Sequence, residues 1–213
     1  MKNSVPLADL RPTQLTLGLD EVKKRANQIA KMSADERDAY VREKAIPYVL
    51  GPERRIYMID HHHFARALWS ADIREARLGK MEEDWSDLDA PAFWRKMDAR
   101  GFCWPIDADG NRRPYSTIPH HISELTDNVW RTLARRVRGK AFDDQDTPFQ
   151  EFMWGEYFRT FMSQRLLRLH RKLARKIAVK VAALNEAEDL PGYRPPSKRQ
   201  RISVQPQITL KHP

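Results

Sequence analysis

Two β-rich runs, AIPYVL (45–50) and RIYMI (55–59), are separated only by GPER, and the second runs without a break into DHHHFARAL. Short β-branched and aromatic runs flanking a Gly-Pro turn predict a hairpin. From His62 or His63 to about Asp72 the residues Phe64, Ala67, Leu68 and Ala71 recur at helical spacing, which places Asp60 at the N-cap. A hairpin that feeds a helix directly points to an α+β arrangement.

The flanking segments agree with that. SVPLADLRPTQ reads as a short strand ending at Arg11-Pro12, because proline restricts its predecessor and donates nothing to a ladder. Asp20 can cap a helix from Glu21 to about Met32, with Val22, Ala26, Ile29 and Ala30 on one face. SADE has the form of a capping box, so Ser33 opens a second helix that runs to about Lys44. Residues 80–116 mix short helical and turn signals: SDLDAPAFWRKMDARG predicts a capped helix stopped by Gly101, and DADGN a turn. Beyond Pro119 the pattern is mainly helical, with a long helix from Phe149 broken near Gly155, and after Leu190 a stretch rich in Pro, Lys and Arg without apolar period. The expected division is an α+β unit over 1–78, a mainly helical region over 79–190 and a basic tail over 191–213.

With 213 residues the chain can bury a core without staples, and its single cysteine, Cys103, rules out an internal disulfide and any multi-cysteine metal site. Cys103 sits in GFCWP beside bulky apolar groups, reads as buried, and is given no redox role. MKNSVPLADLRPTQ has no apolar leader core, and no window approaches the roughly eighteen apolar residues of a membrane span. A soluble, cytoplasmic protein with no membrane partner is the expectation. The 38 Lys+Arg against 29 Asp+Glu give a formal charge of +9. The excess gathers in RTLARRVRGK (131–140) and in QRLLRLHRKLARKIAVK (164–180), neither of which holds an acidic residue. Such fields suit nucleic acid or nucleotide partners, although solvated helix faces show similar runs. Oligomeric state is not legible.

Three imidazoles at a strand-to-helix junction admit several readings. Consecutive histidines lack the i,i+3 or i,i+4 spacing of helical metal ligands, so a divalent site over His61, His62 and His63 would need Asp60 and a distant residue. A phosphate cradle fits the position better, because free N–H groups and the positive end of the helix dipole converge there. The plain alternative is Asp60 as a cap bordered by surface histidines.

IPYVLGPERRIYMIDHHHFARAL resembles the signature segment of the ParB/sulfiredoxin superfamily. Together with LRPTQLTLG (10–18), IPHHISELTDNVWRTLARRVR (118–138) and FQEFMWGEYFR (149–159), it makes the chain similar to the ParB-like nuclease family. The resemblance implies a ParB/sulfiredoxin-like N-terminal unit with a small mixed sheet, then a mainly helical half. It implies phosphoryl binding at Asp60, His61, His62, His63 and Arg66, with Thr13 and Gly18 of the first block also at the phosphate. His61 stands where the superfamily turn has glycine, and Gln14 where its phosphotransferases have glutamate, an amide that cannot serve as general base. Nuclease chemistry would fall to the histidines as acid and base, with Asp60 orienting a ring, with or without a divalent metal. A non-catalytic nucleotide- or DNA-binding module is the alternative.

In the ELTDNVWRTLARRVR block, Asp127 is the expected cap, Trp130, Leu133 and Val137 the inner face, and Arg131 and Arg135 candidate phosphate clamps. In FQEFMWGEYFR the aromatics read as core, and a Glu–Arg bridge is expected among Glu151, Glu156 and Arg159. His120 and His121 form a second pair with no role assigned.

Overall fold

The first strand breaks early in the computed structural model, which describes residues 4–196. β1 (Ser4–Pro6) ends in a 3-10 turn at Leu7–Asp9, and the chain resumes as β2 (Leu10–Arg11). β3 (Thr16–Leu17) leads into α1 (Leu19–Ile29), then α2 (Ala34–Glu43). The hairpin follows as β4 (Ile46–Leu50) and β5 (Ile56–Met58), antiparallel as expected, and α3 (His62–Ser70) leaves it directly. β6 (Glu75–Asp84), α4 (Ala90–Ala99) and β7 (Thr126–Asp127) complete the first of two compact units, which ends at Thr132 within α5 (Val129–Val137).

Five strands form a mixed sheet in the order β1-β6-β4-β5-β2. β1 and β2 lie at opposite edges, yet only three residues join them. Flat, those edges would stand roughly 19 Å apart, at about 4.8 Å per strand. Three linking residues cannot reach so far, at about 3.5 Å each. The sheet is therefore curled, and it wraps a core of Leu7, Leu10, Leu17, Ile29, Ile46, Met58, Phe64 and Leu68. β3 and β7 make a separate parallel pair beside it.

Local expectations fare unevenly. The Ser33–Glu36 capping box is present, and Asp89 caps α4 through Ala92 N at 2.7 Å. Gly101, at φ 64°, follows that helix. α1 is capped at Gly18 rather than Asp20, and its N1 amide, Leu19 N, donates to Asp127 Oδ1 at 2.9 Å. Asp127 is thus spent on α1, while Asn128 Oδ1 caps α5 through the Trp130 and Arg131 amides. The N-cap of α3 is His61, not Asp60. Strand β6 was not expected: only Ala76 is buried along it, so no alternation marks it, and pairing with β1 on one side and β4 on the other holds it extended.

In the second unit, α6 (Gln150–Arg159), α7 (Gln164–Leu169) and α8 (Arg171–Val181) replace the single long helix. Gly155 is buried inside α6, and the breaks fall at Thr160–Ser163, where Ser163 Oγ caps Leu166 N, and at His170. The aromatics are core: Trp154 stacks on Phe142 at 4.4 Å and donates from Nε1 to Pro191 O at 2.8 Å. The expected bridge forms as Arg159 to Glu156 at 2.9 Å, while Glu151 pairs instead with Arg138 at 3.1 Å. Residues 191–194 are held against this unit, Gly192 O accepting from Asp143 N, whereas 197–213 lie outside the described residues. Among the described residues no helix is long and apolar enough to cross a membrane.

Candidate functional site

The chain leaves β5 at Met58 and turns at Asp60 and His61 into α3. His61 has φ 64° and ψ 20°, the left-handed conformation that glycine adopts without cost. The turn therefore keeps a glycine-like path with an imidazole on it. Asp60 Oδ1 accepts from His61 N at 2.6 Å, and Asp60 Oδ2 lies 3.9 Å from His61 Nε2. Asp60 is exposed and His61 half-buried, with its Nδ1 enclosed and unpartnered.

His62 and His63 point elsewhere. Buried His62 Nε2 accepts from Thr13 N at 3.1 Å, and Thr13 Oγ1 in turn donates to Met58 O at 2.8 Å. His63 Nε2 accepts from Gly18 N at 2.9 Å. Two adjacent imidazoles thus grip the two ends of the loop 13–18, tying it to the start of α3. Because Nε2 accepts in both, each neutral ring carries its proton on Nδ1. Burial pushes His62 down to about 4, against a smaller upward pull from Asp60, so it is neutral at physiological pH. The expectation of surface histidines bordering a cap does not hold for this pair.

Gln14 lies in that loop, buried, its Nε2 donating to Thr16 O at 2.6 Å. Arg131 is also buried, and its Nη1 pairs with Glu21 Oε2 in the first turn of α1. Arg135 belongs to the second unit, where its Nε lies 3.9 Å from Glu151 Oε1. A β-carbon at Gly18 would stand 2.7 Å from Thr132 Oγ1 and 3.6 Å from His63 Nε2. Gly18→Ala is expected to push Thr132 or His63 aside and lower stability by about 1–3 kcal/mol. Chemical denaturation measures it; an unchanged midpoint would mean that the crowding is relieved at no cost.

Arg66 differs from these. It is half-buried on α3, four residues after His62, and forms no hydrogen bond or ion pair with a described residue. Its Nε is shut away from water with no acceptor, and burial pulls its guanidinium below the ordinary value. Long side chains on a helix lean toward its amino end, and Arg66 follows His62 and His63 by four and three residues, on the turn next to theirs. No side chain caps α3. The amino end of α3 thus has no cap bond from the His61 side chain, and Arg66 on the same helix has an unmatched guanidinium.

His121 lies at the opposite end of α3, against Trp69 at 4.3 Å, with Nδ1 accepting from Ser123 N. His120 is exposed, and its carbonyl accepts from Arg11. Cys103 is buried and pushed up to about 12, first by desolvation and then by Asp98, as fits an inert thiol. For a divalent ion the turn offers Asp60 and His61, and among the described residues no three His, Cys, Asp or Glu side chains converge to hold one.

A family model described as "Putative ParB-like nuclease" matches residues 3–160. The chain belongs to that family. Among solved structures it is similar to protein Atu1540 from Agrobacterium tumefaciens. The two are 31% identical, with a TM-score of 0.80 over 91% of this chain and 98% of that one. No curated protein matches.

Proposed function

We propose that the chain handles phosphate esters, gathering phosphoryl oxygens at the amino end of α3 with the first-turn amides and Arg66. The carrying observation is the enclosed Arg66 Nε without an acceptor, since a desolvated donor left unmatched costs stability that a bound anion restores. Asp60 and His61 are the pair available to move a proton. In hydrolysis, water oxygen bonds to phosphorus as the ester P–O bond breaks, and His61 passes the proton from the water to the leaving oxygen. Asp60 stabilises the charged ring.

One observation favours the alternative, a nucleotide- or DNA-binding module without turnover. His62, His63 and Gln14 already hold the 13–18 loop, leaving little beyond Asp60 and His61 for catalysis. Purified protein incubated with duplex and single-stranded oligonucleotides, with and without Mg²⁺ or Mn²⁺, separates the two. Cleavage that falls at least about a hundredfold in His61→Ala, with phosphate binding kept, supports hydrolysis. Saturable binding with no product in any condition supports the module, and neither binding nor cleavage refutes both.

A further inference from the structure

The second unit treats its arginines in two ways. Arg138 meets Asp144 at 2.6 Å and Glu151 at 3.1 Å, Arg159 meets Glu156 at 2.9 Å, and Arg194 meets Asp143. On α7 and α8, by contrast, Arg165, Arg168, Lys172, Lys176 and Lys180 are exposed and form no ion pair with any described residue. Arg175 reaches only the carbonyl of Arg171 on its own helix. The buried positions of α8 are alanines, Ala174 and Ala178, followed by Ala182, with Ile177 and Val181 partly buried, and its charged side chains are exposed.

This charge carries a cost. α8 begins with Arg171 and Lys172 and has no acid in its first turn, which sets cations against the positive end of the helix dipole. Lys172, Lys176 and Lys180 follow at i, i+4 and i+8, one charge roughly every 6 Å along one face. Duplex nucleic acid presents a phosphate charge about every 1.7 Å of axis, a charge density complementary to such a row of cations. Neither helix carries an aromatic side chain for stacking single-stranded bases. The exposed apolar residues there, Leu169, Leu173 and Val179, are scattered among the cations and too few for the deep apolar face of a membrane-lying helix. Both helices also lie beyond residue 160, where the family match ends.

We propose that α7 and α8 form a docking surface for the phosphate backbone of duplex nucleic acid, read without regard to base sequence. The proposal does not depend on phosphate binding at the α3 turn. The test is fluorescence anisotropy with a labelled random-sequence 20-base-pair duplex over a salt series, comparing wild type, Lys172→Gln/Lys176→Gln/Lys180→Gln and Arg66→Ala. Wild type should bind with a strongly negative slope of log K on log salt. The triple variant should bind at least about tenfold more weakly, with the slope reduced by about two to three. Arg66→Ala should cost the duplex less than the triple variant does and change the slope by no more than about one, the share of a single phosphate contact. An unchanged affinity and slope in the triple variant would overturn the proposal. So would loss of duplex binding only in Arg66→Ala, tighter binding of the single strand, or binding of phosphatidylserine vesicles with none of the duplex.

Discussion

Arg66→Ala should weaken binding of inorganic phosphate and of nucleotides by roughly 10- to 100-fold while leaving folding stability unchanged or slightly raised. A charge-assisted hydrogen bond to an anion is worth about 1.5–3 kcal/mol, which converts to that range of affinity. Stability should hold because the guanidinium has no partner among the described residues to lose, and its Nε is enclosed without an acceptor. Arg66→Lys should recover only part of the affinity, since an ammonium keeps the charge but not the planar fork. Isothermal titration with phosphate, alongside thermal denaturation of each variant, measures both halves. Equal affinity in wild type and Arg66→Ala would remove the guanidinium from the site.

Acid should loosen the fold through His62. The unfolded imidazole takes up a proton below its ordinary value of 6.5, whereas the buried ring stays neutral until about 4. Over that interval the unfolded state binds more protons, so stability falls as pH drops and is insensitive to His62 above about pH 7. The loss across the window is about 3 kcal/mol, at 1.36 kcal/mol for each pH unit separating the two values. His62→Gln offers an amide oxygen to Thr13 N without a titrating group, and it should flatten this part of the profile. Urea denaturation from pH 7.5 to 4 decides the matter, and an unaltered acid profile in the variant would assign the lability to other groups.

The hairpin, the helix that leaves it and the capping box at Ser33 were legible because each is a local signal. Adjacent β-rich runs, a 3.6-residue period and a Ser-x-x-Glu pattern act within a few residues. Strand β6 was not legible, since it is held by β1 and β4 from either side and buries almost nothing of its own. The capping at the two neighbouring helices was crossed for the same reason. Asp127 and Asn128 are adjacent, and only the parallel pairing of β3 with β7 decides that the first serves α1 and the second α5.

The site was legible as a place more than as a set of roles. The sequence located the turn at Asp60–His63, and the left-handed backbone of His61 keeps the path that a glycine would give. That His62 and His63 face inward to hold Thr13 N and Gly18 N depends on a loop some 45 residues earlier, which no local pattern reports. Arg131 was a candidate clamp, but Glu21 in α1 matches its charge. Arg66 was singled out by the family resemblance alone, and its unmatched state emerges only from the packing around it.

Amide and guanidinium NMR during titration with inorganic phosphate tests the central claim most directly. The account predicts saturable shifts at the backbone amides of His62, His63 and Phe64 and a downfield shift of the Arg66 Nε–H, all fitting one dissociation constant. Unmoved resonances at those four positions under saturating phosphate would contradict it.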